Sequence, residues 1–76
     1  MDIKKLRFYD CKEKKPKHED MCMVFVDGEL CTKYEFTDKI GEDGEHYIGF
    51  HHIDNGGLIP FADGIYWMHD PSYRNQ

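Results

Sequence analysis

The sequence predicts a mainly β chain, with α+β as the alternative class. It is expected to fold as a single small twisted antiparallel sheet, or meander, of four to six short strands. Three observations carry this expectation. Turn dipeptides recur at Asp27-Gly28, Asp43-Gly44, Asn55-Gly56 and Asp63-Gly64, a spacing that suits short antiparallel strands. Between them stand runs rich in β-branched and aromatic residues, MCMVFV, HYIGFHHI and IYWMH. No segment sustains an apolar period of about 3.6 residues with capping groups, so at most one helical turn is expected, near Thr37–Ile40.

The elements follow in order. A short strand is expected around Leu6–Tyr9, because too few residues precede Lys12–Pro16 for a helix to nucleate. Residues 11–20 read as a polar loop, since Pro16 removes a backbone donor and biases Lys15 towards extended geometry. Residues 21–36 read as a hairpin. Asp27-Gly28 suits a type I′ turn, in which both central residues take positive φ, and this turn pairs Val26 with Glu29, Phe25 with Leu30, Val24 with Cys31 and Met23 with Thr32. Strict alternation then gathers Met21, Met23, Phe25, Leu30, Tyr34 and Phe36 on the core face. It leaves Cys22, Val24, Val26, Glu29, Cys31, Lys33 and Glu35 on the other. Pro60 confines GLIPF to an edge or an irregular segment, and the tail at 71–76 is expected to fray.

A chain of 76 residues has room for one domain, spanning 1–76, and at this size folding buries only about 60% of the unfolded surface. Aromatic residues, 14% of the chain, supply large buried areas per side chain and suit a thin sheet. Fifteen acidic against ten basic residues give a net charge of −5, which disfavours nucleic acid and favours a basic protein surface as partner. The one positive block, Lys12 to His18, reads as a solvated face. No apolar run approaches the ~18 residues of a membrane span, and MDIKKLRFYD lacks the apolar core of a signal peptide, so a cytoplasmic location with no membrane partner is expected. Three cysteines, an odd number, fit reduced thiols.

Sulfur and imidazole groups invite a metal reading. The spacings from Cys11 to Cys22 and from Cys22 to Cys31 are eleven and nine, however, whereas a zinc knuckle needs cysteines two to four residues apart. The metal alternative therefore requires Cys22 and Cys31 to meet His51 and His69, or His52, from other strands. His51 and His52 are adjacent in a strand and point to opposite faces. A cysteine nucleophile has no helix N-terminus to lower its pKa, and His18 lies too far along an extended strand from Cys22. The acidic run Gly41–Glu45 lacks the alternating ligands of a calcium loop and reads as a solvated turn. Phosphate-binding, dinucleotide-binding and serine-nucleophile motifs are absent from the sequence, so neither catalysis nor a cofactor is expected. The remaining hint is aromatic. Tyr66, Trp67, Met68 and Tyr73 form a candidate protein interface, with alternation placing Tyr66 and Met68 on one face and Trp67 on the other.

Several features stand in a recognisable order. An aromatic early strand at Phe8-Tyr9 is followed by a Pro-containing polar loop from Pro16 to Asp20 and a strand ending Val-Asp-Gly-Glu. A central aromatic strand and a C-terminal Tyr-Trp-Met with a following Pro71 complete the series. This order resembles domain-of-unknown-function family 551, small proteins of bacteria and phages. The resemblance spans most of the chain and implies a small β-rich fold in a phage or prophage setting, with no catalytic residues to carry over. The functional expectation is an accessory protein, an inhibitor or adaptor, that binds another protein of unidentified nature. Homodimerisation through a sheet edge or the aromatic C-terminal strand is a further expected form of association.

Overall fold

A computed structural model describes residues 7–73. It contains six strands: β1 (Tyr9–Asp10), β2 (Met21–Val26), β3 (Glu29–Ile40), β4 (His46–His52), β5 (Leu58–Pro60) and β6 (Tyr66–His69). They form one antiparallel sheet in the order β1-β6-β2-β3-β4-β5. The stretch from β2 to β5 is the expected meander. The last strand then returns to lie between β1 and β2, so the aromatic C-terminal run is an interior strand. No helix forms among the described residues, and Thr37–Ile40, the expected helical turn, lies inside β3. The expected strand at Leu6–Tyr9 is shifted to Tyr9–Asp10, with Leu6 outside the described residues. Of the 71–76 tail, 71–73 are described, and there Asp70 anchors the chain by accepting the Ser72 and Tyr73 N–H groups.

The Asp27-Gly28 turn forms as the sequence requires, with φ of 51° and 78°. Val26 pairs with Glu29, Phe25 with Leu30 and Val24 with Cys31. Beyond that point the expected register fails. Cys22 pairs with Tyr34 and Met21 with Glu35, so β3 carries one extra residue, and Lys33 takes up the slack at φ 66°. This bulge moves Tyr34 and Phe36 onto the face of Cys22 and Val24.

For β2 and the start of β3 the core face is therefore the reverse of the one expected, whereas Tyr34 and Phe36 lie on the core side as expected. Cys22, Val24, Phe36 and Trp67 are fully buried, with Phe50 beside them, while Phe25 and Leu30 are exposed. Phe36, Phe50 and Phe61 form an aromatic triangle with centroids 5.3–6.1 Å apart. Tyr9 leans on Trp67 at 5.3 Å.

A two-sided sheet needs a cover over its apolar side, and the loop at residues 11–20 supplies it. Its composition is polar, yet Cys11, Pro16 and Asp20 are buried. The Trp67 indole N–H donates to the Lys14 carbonyl at 2.9 Å, and the Cys11 N–H donates to the Ile65 carbonyl at 3.0 Å. Phe36 N–H donates to Asp20 O, and Glu19 N–H to Phe36 O, so the end of the loop is stitched to β3. The Asp20 carboxylate meets His69 Nε2 at 2.7 Å and the Lys17 N–H at 3.1 Å, which satisfies a buried charge.

Candidate functional site

The other face of the sheet carries no covering layer among the described residues. Register fixes its central row: Tyr66 stands beside Phe25, and Phe25 beside Leu30, across β6, β2 and β3. Their exposures are 39%, 40% and 51%, high for side chains this apolar. Met68 beside Met23 forms the next row, and the Phe8 ring lies 6.1 Å from that of Phe25. Tyr73 is brought to the same face by the turn at Asp70, whose N–H donates to Met21 O. Together with Met23, Leu30 and Thr32 it lines a groove of about 360 Å³.

Glu29, paired with Val26, lies on the other face. Asp27, in the hairpin turn, stands at the end of this patch and has no cationic partner among the described residues. Lys33 is engaged with Asp54 at 3.4 Å. Further along the same face, Glu35 Oε1 lies 3.3 Å from His51 Nε2, and His51 Nδ1 lies 3.2 Å from the Thr37 hydroxyl. This polar belt separates the row from a second concavity at the β4–β5 edge.

The expected interface residues thus divide. Tyr66, Met68 and Tyr73 share the open face. Trp67 does not: with no exposed area and its indole N–H bonded to a main-chain carbonyl, it belongs to the core and cannot meet a partner. Phe25 and Leu30, assigned by alternation to the interior, are the residues the sequence reading missed. The available signal was that both faces of the hairpin are apolar, since Cys22, Val24 and Val26 alternate as cleanly as their neighbours.

The metal alternative is not assembled. Cys22 and Cys31 face the core, His51 lies on the opposite face, and His69 is bonded to Asp20. Among the described residues no three His, Cys, Asp or Glu side chains are placed to hold a metal ion. His52 packs edge-on against Tyr34 at 5.1 Å, and its Nδ1 accepts the Asp54 and Asn55 N–H groups. All three cysteines are free. Burial, helped by the nearby Asp20 charge, pushes the Cys22 thiol up to about 12, and burial also raises Cys11 to about 11. Neither can supply a thiolate nucleophile near neutral pH. The acidic stretch at 41–45 is a turn in which Asp43 accepts the Tyr47 hydroxyl and the Glu45 N–H, contacts that hold its carboxyl below the usual range.

Comparison with protein-family models, curated proteins and solved structures finds no match to this chain.

Proposed function

We propose that this chain is a non-catalytic accessory protein of bacterial or phage origin, an inhibitor or adaptor, that binds another protein through the open face of its sheet. One observation carries the reading: the unbroken row Tyr66, Phe25 and Leu30, left half exposed on a sheet that buries its opposite side. With about 150–250 Å² per aromatic side chain, the row and its methionines present of order 200–300 Å² of apolar surface, at or below the roughly 300–600 Å² of the largest patch on a typical monomer, so the reading rests on the row's continuity and not on its size. The uncompensated Asp27 at its end, and the net charge of −5, favour a partner with an apolar ridge flanked by Lys and Arg. The same charges oppose a second copy meeting this face symmetrically. Free thiols at Cys11, Cys22 and Cys31 fit a reducing cytoplasmic setting.

The test compares capture from the native host by the wild type and by Leu30→Glu and Phe25→Glu, whose side chains are exposed and whose circular dichroism should be unchanged. Loss of the captured protein in both variants is the expected result. Capture that survives both substitutions removes the open face as the interface. A wild-type dimer in sedimentation that Leu30→Glu dissociates reassigns the face to self-association.

A further inference from the structure

The two edges of the sheet are closed off differently. β1, at one edge, is only Tyr9–Asp10, and an edge that short offers little to pair with. At the other edge β5 covers Gly49, Phe50 and His51 of β4, then ends at Pro60. β4 begins at His46, so residues 46–48 have a strand neighbour on the β3 side and no paired strand on the outer side among the described residues, with Phe61, the residue after β5, falling opposite Ile48.

Backbone direction along this strand follows from its bonds. His52 N–H donates to Gly57 O, on the β5 side, while Gly41 N–H donates to Glu45 O across the β3–β4 turn. Because N–H and C=O alternate in direction along an antiparallel strand, His46 and Ile48 direct theirs outward, and Tyr47 and Gly49 direct theirs to β3. The outward pair forms an open ladder just where β5 stops.

A groove of about 380 Å³ lies along the same edge, lined by Tyr47, Ile48, Gly49, Leu58 and Pro60, with Thr37 behind Gly49. Leu58 is 81% exposed and Ile40, near the tip of the arm, 66%. The arm from Asp38 to Ile48 carries Asp38, Glu42, Asp43 and Glu45 against a single lysine, Lys39. Asp38 is neutralised by Lys15 at 2.6 Å and bonded to His46, whereas Glu42 and Glu45 have no cationic partner among the described residues.

We infer that this edge accepts an extended segment of a partner protein as an added strand beside His46–Ile48. Its apolar side chains alternate into the groove at Tyr47 and Pro60, and a lysine or arginine at its end, where it passes the tip of the arm, meets Glu42 and Glu45. Main-chain pairing supplies the attachment, while the alternating pockets and the acidic tip supply selection. A second copy of this chain is disfavoured as the occupant, because the acidic arm would bring like charges together. The site is separate from the open face proposed above and stands or falls independently of it.

The test uses amide-resolved NMR on the whole protein. In the free protein, hydrogen exchange at His46 and Ile48 is expected to be at least tenfold faster than at Tyr47 and Gly49; equal protection means that the edge is already covered and overturns the inference. Titration with acetyl-Lys-Val-Lys-Val-Lys-amide is expected to shift the Ile48 and His46 amides and slow their exchange. Acetyl-Glu-Val-Glu-Val-Glu-amide is expected to bind at least fivefold more weakly, and Glu42→Lys with Glu45→Lys to reverse that order. No shift at Ile48 with millimolar basic peptide, or equal response to both peptides, overturns it. So does protection of Ile48 that grows with protein concentration alone, which assigns the edge to a second copy. Phe25→Glu, which disrupts the open face, should leave the titration unchanged.

Discussion

Individual side chains here matter by where their polar atoms end. Asp20 is buried and draws one of its bonds from His69, so His69→Ala is expected to cost about 1–3 kcal/mol in urea denaturation by leaving that carboxylate short of a partner. The thiols make a second case. Unfolded cysteine ionises near pH 8.5, whereas Cys22 in the folded chain is pushed up to about 12. As pH rises past 8.5 the unfolded state loses its proton first, so stability is full below that pH and declines between it and the folded value. Melting temperature measured from pH 7.5 to 10 should fall, and the slope should flatten in Cys22→Ala. Acid works through Asp38, whose carboxyl is held low by the Lys15 ammonium and then by His46. Its contribution is present above the unfolded carboxylate pKa and is lost as pH drops through the depressed folded value. None of these pairings was legible in the sequence, because Asp20 and His69 lie 49 residues apart and only the return of β6 brings them together.

At the level of elements, one extra residue interrupts the alternation of the hairpin. The Asp27-Gly28 turn was legible and set the first pairs as expected. Lys33 was not, since lysine carries no preference for positive φ and nothing else in Thr32-Lys33 marks a bulge. Holding an L-residue in that conformation costs roughly 1 kcal/mol. Lys33→Gly should therefore hold or raise the melting temperature despite losing the exposed pair with Asp54, and Lys33→Val should lower it. Deleting Lys33 removes the extra residue and leaves Tyr34 opposite Cys22 in a regular ladder, with Tyr34 and Phe36 still on the side of Trp67; the expected outcome is retained cooperative unfolding in calorimetry. Polar composition likewise concealed the role of residues 11–20, where backbone carbonyls and Pro16, more than the charged side chains, meet the core.

For the whole molecule, the arrangement is a single layer with one closed and one open side. A chain this small has a total stability of the order of 4–11 kcal/mol. Truncating Trp67, which sits between β1 and β2 at the centre of the closed side, is expected to cost about 3–5 kcal/mol and to leave Trp67→Ala largely unfolded at 37 °C by circular dichroism. Leu30→Glu, on the open side, should leave the same spectrum intact. The sheet class and the edge position of Pro60 were legible from turn spacing and from a residue that cannot donate. The insertion of β6 between β1 and β2 was not, because short strands of similar composition carry no label of their neighbours.

The seat of Trp67 also bears on how this chain can change over time. The group that receives the indole N–H is the carbonyl of Lys14, and every amino acid has one. Substitutions from Lys12 to Lys15 can therefore accumulate with the seat preserved, while the loss or gain of a single residue there shifts the carbonyl out of reach. Descendants of a common ancestor would then share the length of this segment and the tryptophan, and very little lettering between them.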